Sequence, residues 1–395
     1  MLKRVCIIVN LNMYASKHYF TQKLAEALRR RNIEVFIFDV QSFASRELMF
    51  LAIDLLRPDF TCSFNSLLPP ADGTYHFDKS HIPHLAILLD PSFYSIELTK
   101  SRYIILSCVD RLDCDFLRLL AFEKVFFWPH AVEKKLHGNI DQKRDFDVVF
   151  LGSCHDYENA RKEFQDKYPD LSHVLDAAID LVLSDRFIPL YQAVRQCINT
   201  CKAPMDQTSI HNLFQYLDIC TRGKDRVEMI RAITDPNVNI HVFGFSTTDR
   251  YAGAKGWDEY LGKQPNVTLH PAVSFEESIE ILTNSKICLN SMPFFKDGTH
   301  ERIFTALTCG AVPITSATHY LQENFEEGKE IFFYQPPNWA QINDIVVDLL
   351  QDEDKRKEIA SRGCAKVMAF HTWDERVEEL LRVLPPILSK INKSS

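Results

Sequence analysis

The sequence has little glycine and no clustered proline. Glycine accounts for 12 of its 395 residues, and the 18 prolines are scattered. Collagen-like and low-complexity classes are therefore excluded. Hydrophobic residues make up 46% and charged residues 25% of the chain, which is typical of a globular protein and excludes a disordered one. At roughly 100–200 residues per domain, the length predicts two domains, or at most three.

An excess of positive charge is also missing. The chain carries 45 Lys and Arg against 53 Asp and Glu, a formal net charge of −8. Nucleic-acid-binding surfaces are basic, so the composition predicts no DNA or RNA partner.

Long hydrophobic runs are absent as well. No apolar run approaches the ~20 residues that cross a bilayer. The start Met1-Leu2-Lys3-Arg4 is basic, but the apolar run Val5–Val9 is too short for the core of a signal sequence. We expect a first buried strand there, no transmembrane segment, and a cytoplasmic protein.

Paired cysteines and metal motifs are scarce. The 11 cysteines contain no C-x-x-C pair, and the C-x3-C of Cys197 and Cys201 has no second pair nearby. This pattern predicts free thiols in a reducing cytoplasm and argues against a zinc site. The D-x-D motif Asp113-Cys114-Asp115 precedes a helical pattern and is interpreted as a helix start, where carboxylates are favoured.

Strand and helix patterns alternate along the chain. Six short apolar runs are separated by amphipathic segments in the first half, and the pattern resumes after residue 146. Such runs predict two parallel sheets covered by helices on both faces, which is the doubly wound, Rossmann-like α/β class. Two halves of this kind are expected to face a cleft, a favoured place for ligands.

The domain bounds follow from composition. Residues 134–145 are polar and predict a linker between residues 1–133 and 146–370. The second domain contains a mostly helical insertion at about 154–235. Residues 371–395 predict a C-terminal helix with an apolar stripe.

The most informative window runs from Ile287 to Tyr334. It predicts a strand, a loop at Gly298, a helix beginning near Thr299, and Gly310 as the end of that helix. Free N–H groups at such a helix start bind anions, including a pyrophosphate.

The same window resembles a known family. The runs Lys286–Asn290, His300–Phe304, Cys309-Gly310 and Phe332–Tyr334 look like the C-terminal domain of CgeB-like, spore-maturation-type glycosyltransferases. That group is similar to the retaining family of glycogen and sucrose synthases, which has the GT-B fold. Weaker similarities elsewhere are at Asp90-Pro91, Trp128–Ala131, Asp147–Ser153 and Thr372–Arg376.

The resemblance implies a glycosyltransferase that uses a nucleoside-diphosphate sugar. The donor, with UDP favoured over GDP, would bind the C-terminal domain, and an unidentified acceptor (glycan, protein or small molecule) the N-terminal one. No cofactor would be needed, and no metal, because a helix N-terminus and basic side chains neutralise the leaving diphosphate. As in other GT-B proteins, the C-terminal helix of residues 371–395 would pack back on the first domain. The implied donor-binding residues are Gly152, Ser153, Gly244, Phe245, Val273, Gly298, Thr299, His300, Glu301, Arg302 and Thr305. The implied catalytic residues are Asp90, His130 and Asp297.

One departure from the family pattern concerns two glutamates eight positions apart. Asp297 and Thr305 stand in their places. The resemblance favours transfer with retention, and the replacement of the second glutamate by Thr305 leaves inversion as the alternative. A non-catalytic protein that has kept the GT-B fold to bind nucleotide sugars or a partner is the alternative interpretation. A nucleotide-sugar epimerase, which shares the fold, is a third, although no clear acid–base cluster is present in the sequence.

Overall fold

The computed structural model describes residues 2–10, 14–65, 73–136, 138–199, 206–244 and 255–393. The chain divides into two compact units. Unit 1 comprises residues 1–135, 274–276 and 369–395, and unit 2 comprises residues 136–273 and 277–368.

Unit 1 is built on a six-stranded parallel sheet in the order β2-β1-β3-β4-β5-β6. Its strands are β1 (Arg4–Val9), β2 (Glu34–Asp39), β3 (Phe60–Phe64), β4 (His84–Leu88), β5 (Ile104–Cys108) and β6 (Val125–Phe127). The helices between them are α1 (Ser16–Arg30), α2 (Arg46–Leu56), α3 (His76–Ser80) and α4 (Arg111–Leu119), with 3-10 turns at Val40–Ser42 and Ser92–Lys100. The central strands β3, β4 and β5 are buried along their whole length, as expected for a parallel sheet covered on both faces.

The last helix, α15 (Trp373–Lys393), belongs to unit 1. Its first residue, Trp373, is 4% exposed and lies in an aromatic cluster with Phe20, Phe64 and Trp128. The indole N–H of Trp128 donates to the Arg376 carbonyl at 2.9 Å. The C-terminal helix thus completes the core of unit 1.

Unit 2 has a second six-stranded parallel sheet, in the order β12-β11-β10-β7-β8-β9. Its strands are β7 (Phe146–Leu151), β8 (Ile240–Phe243), β9 (Val267–His270), β10 (Ser285–Asn290), β11 (Val312–Ser316) and β12 (Phe332–Tyr334). Counted from the first strand of this sheet, the order is 3-2-1-4-5-6, the order of dinucleotide-binding folds.

The remaining described helices follow β7 along the chain and precede α15. They are α5 (Tyr157–Lys167), α6 (Ser172–Ser184), α7 (Leu190–Ile198), α8 (Gln207–Arg231), α9 (Trp257–Leu261), α10 (Phe275–Thr283), α11 (Glu301–Thr308), α12 (His319–Asn324), α13 (Gln341–Gln351) and α14 (Glu353–Phe370), with a 3-10 turn at Pro169–Leu171. Helices α5 to α8 form the helical insertion. The predicted doubly wound fold class is confirmed, because both sheets are parallel and their strands alternate with helices.

The polar stretch around residue 140 packs on unit 2. Arg144 is 7% exposed, and its guanidinium donates to the carbonyls of Thr283 and Ser285 at 2.8 Å and of Cys309 at 3.0 Å. The N–H of Gly138 donates to the Thr308 carbonyl at 2.8 Å. These contacts hold the polar stretch in place despite its composition.

Candidate functional site

The candidate site of unit 2 starts from its strand order. Strands β7 and β10 are neighbours, with Phe150 beside Leu289, yet their following helices lead in opposite directions along the sheet. Ligands of doubly wound proteins bind outside the carboxyl ends of the strands at this switch point. Here those ends are Leu151-Gly152 and Asn290-Ser291.

Helix α11 begins beside this edge. The sequence predicted its start near Thr299, whereas the helix starts at Glu301 with His300 as the N-cap residue, two residues later. Both Thr299 and His300 are polar residues able to precede a helix, so the pattern did not separate them. The other end is as predicted: Gly310 has φ +80°, and a Cβ there would meet the Arg144 guanidinium at 2.3 Å.

Arg302 lies in the first turn of α11 and reaches back to the end of β10. Its Nη1 donates to the side-chain oxygen of Asn290 at 2.9 Å, and the Asn290 amide donates to the Thr315 hydroxyl at 2.9 Å. Asn290 is completely buried. A fixed amide therefore holds the guanidinium of a half-buried arginine at the strand end.

His300 and Glu301 form a close pair. The His300 Nδ1 lies 2.5 Å from Glu301 Oε2 and 3.3 Å from the Arg302 backbone nitrogen. One ring nitrogen cannot donate to the carboxylate and accept from the amide at once, so the shorter contact assigns the Nδ1 proton to the Glu301 bond. Burial lowers the pKa of His300, against the opposing charge of Glu301, which favours a neutral ring.

A second arginine, Arg226 on α8, lies at the same edge and was not predicted. Its Nη1 donates to the Ser153 carbonyl at 2.7 Å, just beyond β7, and the residue is 8% exposed. A Cβ on Gly152 would lie 3.7 Å from that Nη1, so the glycine leaves space beside the guanidinium. Ser153 lies just beyond β7, and Asn290 is the last residue of the neighbouring strand β10. Beyond the effect of burial, the charges of both Arg302 and Arg226 act to lower the pKa of His300, so the two guanidinium groups lie around one site.

Arg226 offered no local signal in the sequence. It lies within a 25-residue helix, 73 positions from the carbonyl that it binds. Only the path of α8 across the carboxyl edge brings it to the site.

The two strand-end glycines differ in their surroundings. A Cβ on Gly244 would fall 2.0 Å from the Gly152 carbonyl oxygen, which also accepts from the Trp257 indole at 3.2 Å. Close backbone packing therefore accounts for Gly244. Of the other predicted donor-binding residues on this side, Val273 is half-buried against the hydrophobic core, and Phe245 lies outside the described residues.

The loop before α11 is largely enclosed. Residues 291–299 are buried except for Asp297, and Asp297 and His300 are both half-exposed. The Gly298 carbonyl accepts from the Thr318 hydroxyl at 2.8 Å, and Thr299 is fully buried. Thr305 is 3% exposed, and its hydroxyl donates to the Glu301 carbonyl at 3.0 Å within the helix.

The other two predicted catalytic residues lie in unit 1. Asp90 is exposed just beyond β4, where its carboxylate accepts from the Asn65 amide at 3.0 Å. His130 is 5% exposed, with its ring 6.3 Å from that of Phe20. The structure thus brings together Gly152, Ser153, His300, Glu301 and Arg302 in unit 2 and leaves Asp90 and His130 in unit 1.

Other sequence-based expectations concern metals, thiols and membranes. Asp113 lies in the first turn of α4, as predicted. The ten cysteines in the described part of the chain are free, and Cys201 lies outside it. Within the described ranges, no three His, Cys, Asp or Glu side chains are grouped as metal ligands. No described helix combines the length and apolarity of a membrane span.

Comparison with known proteins gives three findings. Residues 225–382 match the family model of glycosyl transferase-like proteins. No curated protein sequence matches the chain. Several solved glycosyltransferases match over nearly the whole length, and the chain has their GT-B fold.

Three of these structures illustrate the likeness. HepE of Anabaena, in complex with UDP and glucose, has 12% identity and a TM-score of 0.56, covering 97% of this chain and 100% of its own. Sucrose-phosphate synthase of Thermosynechococcus elongatus has 11% identity and a TM-score of 0.56, covering 98% and 100%. A glycosyltransferase of Rickettsia africae has 13% identity and a TM-score of 0.55, covering 100% of both chains. At these identities the likeness shows the fold, and the CgeB-like type stays a prediction.

Proposed function

We propose that the protein is a glycosyltransferase whose unit 2 binds a nucleoside-diphosphate sugar at the carboxyl ends of β7 and β10. The observation that carries the proposal is the pair of arginines, Arg226 and Arg302, anchored at the ends of two neighbouring strands. A diphosphate is the ligand that suits two fixed guanidinium groups at the start of a helix.

The two arginines would act on the leaving group. Negative charge grows on the diphosphate as the glycosidic bond breaks, so cations fixed beside it stabilise the transition state more than the ground state. Their anchors, a backbone carbonyl and a buried amide, keep the guanidinium planes in place before the donor arrives. On this account the arginines and the start of α11 make transfer independent of a metal ion.

The sugar would lie toward the loop before α11. Asp297 and His300 are half-exposed where the rest of this loop is buried, so their side chains are the ones that can meet a sugar hydroxyl. Glu301 would orient His300 through the 2.5 Å contact. We assign no donor contact to Thr305, because its hydroxyl is bound within α11.

UDP is the favoured nucleotide in this proposal. HepE has been solved with UDP and glucose and with UDP-glucose. Acceptor binding is assigned to unit 1, with Asp90 as the carboxylate able to accept a proton from an acceptor hydroxyl and His130 as a further candidate. The family resemblance favours transfer with retention.

Nucleotide release tests the proposal. The protein is incubated with UDP-glucose, UDP-N-acetylglucosamine and GDP-mannose, with and without a mixture of oligosaccharide acceptors, and free UDP and GDP are measured. Release of one nucleotide, increased by an acceptor, is expected. Tight binding without release from any donor would instead favour the non-catalytic alternative.

A further inference from the structure

The loop between β10 and α11, residues 291–300, is fixed by several backbone contacts. The N–H of Met292 donates to the Ser316 hydroxyl at 3.2 Å, and the N–H of His319 donates to the Lys296 carbonyl at 2.9 Å. The Thr318 hydroxyl donates to the Gly298 carbonyl at 2.8 Å. All of these partners lie in the segment that matches the glycosyl transferase-like family model.

A further anchor comes from the side chain of Lys296. This lysine is 5% exposed, and its ammonium donates to the carbonyls of Val182 at 2.7 Å and Asp185 at 2.9 Å. Both carbonyls belong to the C-terminal end of α6, whose last turn contains no basic residue. The last carbonyls of a helix lack partners within it and favour a nearby cation, which Lys296 supplies from another element.

Helix α6 lies in the helical insertion and precedes residue 225, outside the family-matched segment. We propose that Lys296 is a positioning residue through which the helical insertion holds the loop 291–300. By fixing the loop, it would keep Asp297 and the start of α11 in the position that the donor sugar requires. This inference rests on the proposed function.

The strand ends and the loop serve different halves of the donor, the diphosphate and the sugar. Arg226 and Arg302 are bound to Ser153 and Asn290 at the strand ends, and neither partner requires Lys296. Asp297, in contrast, directly follows Lys296. Without the ammonium, the buried carbonyl of Val182 and the partly buried carbonyl of Asp185 lose their donor, and the loop loses its anchor to α6. A displacement of about 1 Å at a reacting group can cost roughly a hundredfold in rate.

The test compares Lys296→Met with the matched control Lys286→Met. Lys286 is paired with Asp147 at 2.6 Å in the same unit and lies near the start of β10, at the opposite end of that strand from the loop. For each protein, hydrogen exchange of the amides of residues 292–300 is measured, together with the affinities for UDP and for UDP-glucose. In Lys296→Met we expect loop exchange at least tenfold faster, a UDP affinity within threefold of wild type, and UDP-glucose binding weakened about tenfold. Lys296→Arg, which keeps the charge and its donors, should restore most of the loss.

Wild-type exchange of the loop in Lys296→Met would overturn the inference, as would equal weakening of UDP and UDP-glucose. Should Lys296→Met not fold, Lys296→Gln, which keeps one donor, takes its place in the same comparison. If the wild-type protein binds neither UDP nor UDP-glucose, the proposed function is contradicted, while the exchange measurement still decides whether Lys296 holds the loop.

Discussion

Both six-stranded sheets are parallel, but they differ in strand order and in the side chains at their carboxyl edges. The edge of unit 2 carries Arg226 and Arg302, each bound to a residue at a strand end. The edge of unit 1 carries Asp90, whose carboxylate is bound by Asn65, with Lys17 close enough for its charge to interact with it. The edge of unit 2 thus presents two anchored arginines, and the edge of unit 1 a hydrogen-bonded carboxylate.

This difference separates scaffold from site. The buried strands of both sheets determine stability, whereas a few side chains just beyond the strands determine chemistry. If this division holds, damage to the core of unit 1 should lower stability without changing nucleotide binding. Damage to the edge of unit 2 should do the reverse.

The largest expected effect is on the stability of unit 1. Trp373→Ala removes a buried ring from the aromatic cluster around Phe20, Phe64 and Trp128, which should cost about 3–5 kcal/mol of unfolding free energy. Urea unfolding measures the loss. Phe370→Ala, which removes a ring that is 58% exposed, is the control and should change little. If the free energy of UDP binding to the folded Trp373→Ala protein fell by as much as its free energy of unfolding, the separation of scaffold from site would be wrong.

The next effect is on catalysis at the edge of unit 2. Arg302→Ala should reduce turnover about a hundred- to a thousandfold, or about 2.7–4 kcal/mol, because one donor to the developing charge is lost. Arg302→Lys should recover only part, since a point charge cannot reproduce the planar fork. Turnover and melting temperature are measured side by side, with Arg362→Ala as a control, since Arg362 is bonded to Glu358 one helical turn away. If turnover of Arg302→Ala stayed near the wild-type value, or fell only because the protein melted, the role of Arg302 would be structural.

A third prediction concerns the stability of unit 1 at acid pH. Burial lowers the pKa of His84 to about 3, and the neutral ring lies between Thr61 at 2.7 Å and Ser63 at 3.0 Å. An unfolded histidine takes up its proton near pH 6.5, so this stabilising contribution is present above that pH. It is lost as pH falls, at about 1.4 kcal/mol per pH unit until the folded pKa is reached.

Unfolding free energies between pH 7 and pH 4, followed through hydrogen exchange in β3 and β4, test this prediction. In His84→Asn the unfolding free energy should depend less steeply on pH, by the equivalent of about one proton taken up on unfolding. His81→Asn, which changes an exposed histidine with φ +57°, should leave the slope unchanged. An unaltered slope in His84→Asn would mean that another group sets the acid sensitivity.

The smallest effect contrasts the two strand-end glycines. Gly244→Ala places a Cβ 2.0 Å from the Gly152 carbonyl oxygen and should cost about 1–3 kcal/mol of stability. Gly152→Ala meets only the Phe150 ring at 3.2 Å, so its cost in stability should be smaller, but its methyl group would occupy space beside Arg226. Thermal melting and UDP titration of both variants should show a stability defect in the first and mainly a binding defect in the second. The opposite pattern would place the donor elsewhere.

The sequence was sufficient to predict the fold because its signals are local. Most of the strands contain a short apolar run, such as Val148–Leu151 in β7, and residues 154–235 show a helical periodicity of their own. The loop at Gly298 and the end of α11 at Gly310 were likewise visible in the pattern. Arg302 could be singled out only with the help of the family resemblance, because a helix start with an arginine is common.

The remaining features depend on long-range contacts. Arg226 binds a carbonyl 73 residues away, and Lys296 binds carbonyls 111 and 114 residues away. Neither residue stands out from its neighbours in charge or spacing. Whether a charged side chain on a helix is solvated or buried against another element is decided by the path of the chain, which periodicity does not report.

Calorimetric titration of UDP into the wild-type protein and Arg226→Ala is the most direct test of the central claim, that two arginines at the edge of unit 2 bind a nucleoside diphosphate. Arg226 was found only in the folded structure, so this variant tests the geometry independently of the family resemblance. The account predicts that UDP binds the wild-type protein and that Arg226→Ala weakens binding at least tenfold while the protein remains folded. Failure of the wild type to bind UDP or GDP, or equal affinity in the two proteins, would contradict it.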